Sequence, residues 1–441
     1  MDSWNSFWSS WLNPRNNIVR VIAIKYLLLG YGKSNRSLEK FFATKGIYFQ
    51  IYDDFLSEKR IEVDFNGFDC VVKSGGIKND HWILDIARKL NKEIISDLEL
   101  FYLYNQEKTF ITVTGTNGKT TTVNLLNYLL PEFDLGGNVG LPLFDYCDSK
   151  KNIIIEASSF MLEYTNSYRS KINVILNIEP NHLDYHLHFS DYLNAKLKLI
   201  KNAVSNDYLV YNADDPVLTK VVRSYNLYKI PFSKVKKNGI FISENNVYYK
   251  GKLVFKPVNL KLQGEHNLEN IAAAIGAVLC YNPQYPDFSR INAFNPLAHR
   301  LEYLGKIGKI EVYNDSKATN LTALKTSLAT FKNKKVILIC GGKRRRENYG
   351  TLDDYLSSLD LVLVNGENKE TLLEYFQGKG IKCYVFLNLQ NLLTELKTYL
   401  KNQDVLLFSP GAVSYDQFQN FEERGNYFKD FIKEFLTENN N

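Results

Sequence analysis

The sequence is poor in cysteine, and the few it has form no recognisable pattern. Five cysteines are scattered over 441 residues, and no two are spaced as CxxC. A disulfide framework or a zinc site would need pairs or clusters, so neither is expected. Isolated thiols of this kind are typical of a reducing compartment.

Long apolar runs are also missing. A membrane-spanning helix needs about 18 uninterrupted apolar residues, whereas the apolar stretch 19–29 is interrupted by Arg20 and Lys25. No basic region precedes an apolar core at the N-terminus, as a secretory signal peptide would require. We therefore expect a cytoplasmic protein without a transmembrane segment.

The excess of positive charge is small. The formal net charge is +6, from 54 Lys and Arg against 48 Asp and Glu, and it is spread along the chain. A nucleic-acid-binding protein would be expected to concentrate basic residues in a stripe, so no nucleic-acid partner is predicted. A mild excess is compatible with anionic substrates such as nucleotides.

Strand and helix patterns alternate in three successive runs. Apolar segments such as 26–30, 109–113 and 335–339 predict buried strands, and segments with a helical pattern separate them. This βαβ rhythm predicts an α/β protein with parallel sheets. Because 441 residues are too many for one core, we expect domains at 1–108, 109–298 and 299–441.

Two segments fit this rhythm less well. The polar text near 233–256 predicts a peripheral β-rich insert. Trp4, Phe7, Trp8 and Trp11 share one helix face, which predicts an extra helix docked on its own domain or, alternatively, an interfacial membrane anchor or a partner-binding helix.

A phosphate-binding loop is the main chemical signal. Residues 114–121 lie between a predicted strand and a predicted helix, where glycines and a helix N-terminus let backbone amides surround an anion. Lys119 would reach the β- and γ-phosphates, and the Thr120 hydroxyl would bind Mg²⁺. Val113 stands where the first glycine of GxxxxGK[ST] belongs, so the strand–loop–helix context carries the prediction. The candidate nucleotide-binding residues are Gly115, Thr116, Asn117, Gly118, Lys119, Thr120 and Thr121.

Further polar residues follow predicted strands and should lie at the same kind of sheet edge. Glu156 suits a Mg²⁺ ligand, although an ion-paired glutamate is an alternative. His182 could bind metal or orient a carboxylate, although a structural role is the alternative. Asp315 and Lys317 suggest an anionic ligand, and a helix cap would also explain the aspartate. Nothing local marks Lys196 as reactive.

The first domain carries an incomplete dinucleotide-binding pattern. Gly30 and Gly32 follow a strand, but Asn35 replaces the third glycine of GxGxxG. This is weak support for NAD. A nucleotide pocket with Asp53 or Asp54 after the next strand, or a plain strand–helix turn, remain alternatives.

Taken together, the motifs resemble the Mur ligases over about residues 20–436. Two of these motifs, at 314–319 and 409–425, are similar to those of the D-glutamate-adding members. In order, all the motifs are Thr114-Gly-Thr-Asn-Gly-Lys-Thr120, Gly136-Gly-Asn138-Val-Gly140, Glu156-Ala-Ser-Ser159, Asn181-His182-Leu-Asp184, Gly264-Glu-His-Asn267, His299-Arg300-Leu-Glu302, Asn314-Asp-Ser-Lys-Ala-Thr319, and Ser409-Pro410 through Ser414-Tyr-Asp-Gln-Phe418 to Phe421-Glu-Glu-Arg424-Gly425.

The resemblance implies a fold and a reaction. The expected fold has a Rossmann-like N-terminal domain for the uridine nucleotide, a central P-loop ATPase-type domain and a Rossmann-like C-terminal domain. The expected reaction uses ATP to activate the carboxylate of UDP-N-acetylmuramoyl-L-alanine (UDP-MurNAc-L-Ala) as an acyl phosphate, which the amine of D-glutamate attacks. A monomer is expected.

The resemblance also implies roles for individual residues. Lys119, Glu156, His182 and Lys196 would be catalytic; Thr120, Glu156, His182 and a carbamylated Lys196 would serve two Mg²⁺ sites. Asn267, Arg300, Asp315 and Lys317 would contact the adenine nucleotide. The two other substrates would contact Asp53, Ser74, Gly76, Asn138, Ser158, Thr319, Arg345, Ser414, Tyr415 and Phe421.

Other functions remain in competition. A folylpolyglutamate-type or another Mur-type ligase shares the phosphate loop, but the text at 314–319 and 409–425 argues against both. A catalytically inactive nucleotide-binding regulator would not require the complete set of catalytic residues. An NAD dehydrogenase is disfavoured by the broken glycine pattern.

Overall fold

The computed structural model describes residues 24–56, 63–260, 262, 264–295, 298–345 and 347–438. Within them the chain forms three mainly parallel sheets, which confirms the predicted α/β class. The tryptophan-bearing segment lies outside the described residues. In the part of the chain that is described, no helix has the length and apolar character needed to cross a membrane.

The chain separates into two compact units. One comprises residues 1–258 and 268–291 and holds the first two sheets; the other comprises 259–267 and 292–441 and holds the third.

The first sheet is entirely parallel, with strand order β2-β1-β3-β4. All four side chains of β1 are buried, as expected of a parallel strand covered on both faces. Its strands are β1 (Tyr26–Leu29), β2 (Phe49–Tyr52), β3 (Cys70–Lys73) and β4 (Glu93–Ile95), and its helices are Lys33–Lys45, Trp82–Lys89 and Asp97–Tyr104.

The second sheet has nine strands in the order β13-β12-β11-β10-β9-β8-β5-β7-β6. Its strands are β5 (Phe110–Thr114), β6 (Asp134–Gly137), β7 (Ile153–Glu156), β8 (Ile172–Ile175), β9 (Tyr208–Asn212), β10 (Tyr228–Ser233), β11 (Ile240–Ser243), β12 (Asn246–Tyr249) and β13 (Lys252–Phe255). Its helices are Lys119–Leu129, Ser159–Glu163, Leu183–His186, Phe189–Leu197, Pro216–Val221 and Glu265–Tyr281, with 3-10 turns at Leu143–Tyr146, Lys198–Ile200, Val222–Ser224 and Ser289–Ala293.

The predicted β-rich insert forms one edge of this sheet. β11, β12 and β13 are joined by two-residue turns, and β12 is antiparallel to both neighbours. Glu244 and Asn245 both have positive φ, as a type I′ hairpin turn requires.

The chain changes direction across the second sheet at β5. β7 pairs with one side of β5 and β8 with the other, all parallel. The connection after β5 leads toward β6 on one side, and the connection after β8 leads toward β9 on the other. Open α/β sheets bind ligands at such a switch point.

The third sheet has the order β14-β15-β19-β16-β17-β18, with only β14 antiparallel. Apolar cores cover both of its faces. Its strands are β14 (Glu302–Ile307), β15 (Ile310–Asn314), β16 (Val336–Cys340), β17 (Leu359–Val364), β18 (Cys383–Val385) and β19 (Val405–Phe408), and its helices are Leu321–Thr330, the 3-10 helix Tyr349–Ser358, Lys369–Gly378, Leu389–Tyr399 and Phe421–Glu438.

Candidate active site

The predicted phosphate loop connects β5 to the Lys119–Leu129 helix, as the sequence indicates. Gly118 caps this helix with a φ of +83°, a conformation that favours glycine. A Cβ there would also lie 2.2 Å from Asn270 Oδ1. Position 118 thus excludes a side chain for two independent reasons, and the helix N-terminus stays open to an anion.

Residues from other strands hold the loop in shape. Asn177, beyond β8, accepts hydrogen bonds from Thr116 N at its backbone oxygen (2.9 Å) and from Asn117 N at Oδ1 (2.8 Å). The Thr116 hydroxyl lies 3.0 Å from the Tyr192 hydroxyl. Lys119 Nζ folds back to donate to the backbone oxygens of Gly115 (2.8 Å) and Thr116 (2.9 Å). The loop therefore has a defined conformation with a cation beside it.

Glu156 ends β7 next to this loop and is nearly inaccessible to solvent. Its Oε1 accepts a hydrogen bond from Asn138 Nδ2 (2.9 Å), whereas its Oε2 is buried without a hydrogen-bond partner among the described residues. A buried carboxylate oxygen without a donor is costly, and a hard cation such as Mg²⁺ is the ligand it fits. Asn138, predicted to contact substrate, is thus also a partner of Glu156.

The structure brings Lys196 to the same place although nothing in its local sequence marks it. Lys196 is 1% exposed, and its Nζ donates to the backbone oxygen of Gly115 (2.8 Å). Burial, reinforced by the positive charge of Lys119 and opposed by Glu156, lowers the pKa of Lys196 well below its usual range. A lowered pKa increases the fraction of the amine that is uncharged and nucleophilic, which fits the carbamylation that the family resemblance implies.

His182 lies on the turn after β8 in the left-handed region, with a φ of +54°. Its exposed ring lies 4.9 Å from the ring of Phe160 and 6.4 Å from that of Tyr192. The Tyr192 hydroxyl also contacts Thr116, and the centroid of the Tyr192 ring lies 4.7 Å from Lys196 Nζ. This aromatic residue, which the sequence analysis missed, therefore connects three parts of the site.

The predicted metal ligands do not form a cage of acidic or imidazole groups. Among the described residues, no three His, Cys, Asp or Glu side chains are grouped so that they could hold a metal ion. The predicted set contains only two such side chains, Glu156 and His182, besides Thr120 and Lys196. A metal here would need oxygens from other sources, as phosphate groups and water supply at Mg²⁺ sites.

The predicted residues of the first domain gather at the carboxyl edge of the first sheet. Asp53 accepts hydrogen bonds from the backbone N–H groups of Tyr31 (2.7 Å), Phe55 (2.9 Å) and Leu56. Burial raises the pKa of Asp53, but these hydrogen bonds outweigh it and hold the pKa below its usual value. Ser74 and Gly76 follow β3 at the same edge.

One predicted substrate residue has a local structural role. Ser158 caps the Ser159–Glu163 helix by accepting a hydrogen bond from Met161 N (3.3 Å).

In the second compact unit, Asp315 follows β15 and faces inward. Its carboxylate accepts hydrogen bonds from the hydroxyls of Ser327 and Ser409 and from Leu301 N. Burial raises the pKa of Asp315 to about 6, against the opposing effects of these hydrogen bonds and of Arg300. Asp315 therefore organises the turn that carries Lys317 and Thr319.

The remaining predicted residues of this unit are unequally exposed. Lys317 Nζ lies 3.7 Å from the ring centroid of Phe421, so two residues predicted for different ligands are in contact. Ser414 is buried, whereas Tyr415 and Arg345 are exposed. Asn267 is buried near the start of the Glu265–Tyr281 helix.

Arg424, which no local sequence pattern marks, is a buried positioning residue of this unit. Its guanidinium donates to the hydroxyl (3.0 Å) and backbone oxygen (2.8 Å) of Ser316 and to the backbone oxygen of Ala412 (3.0 Å). Burial lowers its pKa to about 10, opposed by Asp416 and Asp315. Only its place within the Phe421-Glu-Glu-Arg424-Gly425 motif of the family resemblance was an available signal.

A phosphate loop at the switch point of a parallel sheet, with a buried carboxylate and a buried lysine beside it, defines a nucleotide-binding α/β protein. Comparison with known families identifies which one. Residues 113–278 match the family described as Mur ligase middle domain, and residues 299–411 match the Mur ligase, glutamate ligase domain. The chain belongs to the Mur ligases.

Similar proteins cover nearly the whole chain. The UDP-N-acetylmuramoylalanine–D-glutamate ligase of Hydrogenobaculum sp. is 32% identical, with 92% of this chain and 98% of that protein covered. The ligase of the same name from Caldicellulosiruptor saccharolyticus is 31% identical, with 93% and 98% covered.

Solved structures agree on the fold. UDP-N-acetylmuramate-alanine ligase MurC from Thermotoga maritima superposes with a TM-score of 0.59 at 18% identity, covering 94% of this chain and 100% of that chain. MurF ligase from the same organism, in complex with ADP, superposes with a TM-score of 0.57 at 18% identity, covering 93% and 95%.

Proposed function

We propose that this protein is an ATP-dependent ligase that joins D-glutamate to UDP-MurNAc-L-Ala in peptidoglycan precursor synthesis. The observation that carries the proposal is that Glu156 and Lys196 both lie beside the phosphate loop. A buried carboxylate and a buried amine next to a phosphate site are suited to phosphoryl transfer. The names of the similar proteins support the choice of substrates.

The first half of the reaction makes a leaving group. A carboxylate resists attack by an amine, so its oxygen first attacks the γ-phosphorus of ATP, ADP departs and an acyl phosphate forms. Positioning and charge neutralisation do most of the work in such a transfer. The backbone amides of residues 115–118 and the Lys119 ammonium would hold the phosphates.

Two Mg²⁺ ions, when bound, would neutralise the charge on the phosphates. Thr120, Glu156 and His182 would hold them, together with a carbamate on Lys196. Formation of that carbamate joins the neutral lysine nitrogen to the carbon of CO₂ and releases one proton.

The second half forms the amide. The amine of D-glutamate attacks the acyl carbon, inorganic phosphate leaves, and the amine gives up a proton. We assign the D-glutamate pocket to residues of the C-terminal domain, with Arg345 as a cation suited to a bidentate carboxylate contact. This pocket would comprise Thr319, Arg345, Ser414, Tyr415 and Phe421, and the adenine nucleotide would contact Asn267, Arg300, Asp315 and Lys317.

The remaining substrate would occupy the first domain. Asp53, Ser74 and Gly76 would hold the uridine nucleotide, and Asn138 and Ser158 would lie toward the acceptor carboxylate. We propose domain boundaries near 108 and 298, a monomer as the active form and the cytoplasm as its location.

Phosphate release by the purified protein tests the assignment. With ATP, Mg²⁺ and UDP-MurNAc-L-Ala, we expect release on addition of D-glutamate but not of L-glutamate, L-lysine or meso-diaminopimelate, and none with Lys119→Ala. Release with another amino acid would keep the ligase chemistry and reject the D-glutamate assignment. Binding of ATP without release under any condition would favour an inactive regulator.

A further inference from the structure

A buried lysine lies between the proposed substrate loop and the central domain. Lys73 is the last residue of β3, directly before Ser74, and is 3% exposed. Its Nζ donates to the Tyr185 hydroxyl (2.8 Å) and lies about equally far from two rings, 4.9 Å from the centroid of Tyr164 and 5.1 Å from that of Tyr185. Lysine is rarely buried so completely without a specific partner.

The same tyrosine also holds the far end of the loop. The Tyr185 hydroxyl donates to Asn79 Oδ1 (2.7 Å), and Asn79 Nδ2 donates to Glu163 Oε1 (2.7 Å). The Tyr185 hydroxyl therefore connects Lys73, which precedes the segment 74–79, to Asn79 at the end of that segment; the Tyr164 hydroxyl donates to the same Asn79 oxygen (2.8 Å). Because the hydroxyl accepts from Lys73 and donates to Asn79, its hydrogen-bonding capacity is satisfied.

Tyr185 belongs to the short helix that follows His182. Its ring lies 4.5 Å from the ring of Phe160, which in turn lies 4.9 Å from that of His182. Phe160 also approaches the loop, since a Cβ at Gly75 would lie 3.6 Å from its Cβ. The substrate loop and the His182 turn thus share one packed group of side chains.

We infer that Lys73 and Tyr185 are positioning residues that align the UDP-substrate loop 74–79 with the His182 turn, so that the acceptor carboxylate meets the γ-phosphate. This rests on the proposed function, which assigns the loop to the UDP-linked substrate. Neither residue touches a reacting atom.

A purely structural role for Lys73 would not require an amine at this position. A methionine of similar length would pack against the same two rings without the cost of desolvating an amine. Lys92, in the same domain, offers the contrast: it is half-buried and donates to the backbone oxygen of Phe68 (2.7 Å), with its Nζ 5.6 Å from the Phe68 ring. It makes lysine–carbonyl and lysine–ring contacts away from the loop.

The experiment is a double-mutant cycle on the full chain. Lys73→Met, Tyr185→Phe and the double variant are compared with the wild type, with Lys92→Met as the matched control. Phosphate release gives kcat and KM for ATP and for UDP-MurNAc-L-Ala separately. Tyr185→Phe removes only a hydroxyl, so the inference remains testable if Lys73→Met fails to fold.

We expect each single variant to lower kcat/KM for UDP-MurNAc-L-Ala about tenfold while the KM for ATP changes less than about twofold. The double variant should be no worse than the poorer single variant, because both remove one coupling. Lys92→Met should keep wild-type kinetics.

Three results would overturn the inference. Independent effects that multiply in the double variant would show that the two residues are not coupled. An equal rise in the KM for ATP, or the same kinetic loss in Lys92→Met, would show a general structural effect. Absence of release by the wild type would instead reject the proposed function, and with it the assignment of the loop to this substrate.

Discussion

At the scale of single residues, the site depends on charged groups buried where the sheet ends. Lys119 and Lys196 both donate to the backbone oxygen of Gly115, so two amines converge on one acceptor. Glu156 lies close enough to oppose the fall in the Lys196 pKa. Isolated buried charges lower stability, and groups with shifted pKa values collect at functional sites. We infer that these buried charges are present for catalysis, although they lower the stability of the fold.

Replacement of Lys196 by methionine separates these two effects. We expect Lys196→Met to lower kcat at least about 100-fold, because it removes the amine that would be carbamylated, while thermal stability stays the same or rises, because a buried amine has been removed. Lys108→Met is the matched control, since Lys108 is also buried and donates to two backbone oxygens, those of Tyr146 (3.0 Å) and Ser149 (2.6 Å).

Lys108→Met should lose stability, because the backbone oxygens of Tyr146 and Ser149 lose this donor, whereas the Gly115 oxygen still accepts from Lys119 in Lys196→Met. Lys108→Met should keep its activity, and thermal denaturation and phosphate release measure the two properties. Retention of full activity by Lys196→Met would reject a catalytic role for this lysine.

How far single residues could be predicted depends on how the sequence presents them. The loop residues and Glu156 were recognisable because each directly follows an apolar strand. The contacts of Thr116 with Tyr192 and of Lys73 with Tyr185 were not, because 76 and 112 positions separate the partners. Such pairs depend on sheet order, which local pattern does not specify.

At the scale of elements, one helix boundary explains a departure from the dinucleotide-binding pattern. The helix that follows β1 begins at Lys33, within polar residues that give no apolar periodicity. Asn35 in that turn is buried and donates to the backbone oxygens of Gly30 (2.7 Å) and Leu29 (3.2 Å). Its side chain thus binds the end of β1 at the position where the third glycine of the pattern would allow close packing of helix and strand.

The phosphate loop gives a prediction at this scale. Gly118→Ala would impose a left-handed conformation on alanine and a 2.2 Å contact with Asn270 Oδ1. Gly46→Ala imposes the same backbone strain, at a φ of +66°, but its Cβ would meet no atom of the described residues within 4 Å. We expect Gly46→Ala to cost about 1 kcal/mol of stability and Gly118→Ala to cost about 1–3 kcal/mol more, through overpacking.

Only Gly118→Ala should also weaken ATP binding, because its clash displaces the amides that face the phosphates. Thermal denaturation and calorimetric titration with ATP measure the two effects. Equal losses of stability with unchanged ATP affinity would contradict the close approach of Asn270 to the loop.

At the scale of the whole molecule, three successive βα runs predicted the parallel sheets, because buried parallel strands appear as continuous apolar segments. Strand order was not predictable. β19, the last strand in the sequence, lies between β15 and β16, and hydrophobic pattern alone does not encode that insertion. It brings Ser409, at the end of β19, within 2.8 Å of Asp315, after β15, and so creates a buried carboxylate site from distant segments.

That carboxylate should make the third sheet sensitive to pH. Burial raises the pKa of Asp315 from 3.8 to about 6, so the folded state binds this proton more tightly than the unfolded state does. The protonated Asp315 carboxyl therefore stabilises the fold fully below about pH 4, and this stabilisation is lost as pH rises through about 6. The two-unit shift corresponds to about 2–3 kcal/mol.

Hydrogen exchange in β15 and β19 measures this contribution. The stability of the wild type minus that of Asp315→Asn, compared at the same pH to cancel intrinsic exchange rates, should fall by about 2–3 kcal/mol between pH 4 and pH 7. Asp404→Asn is the control, since Asp404 is exposed at the other end of β19 and accepts a hydrogen bond from Lys335 N (2.8 Å). A difference that is constant across this range would mean that Asp315 does not titrate there, and that the hydroxyls of Ser327 and Ser409 compensate fully for its burial.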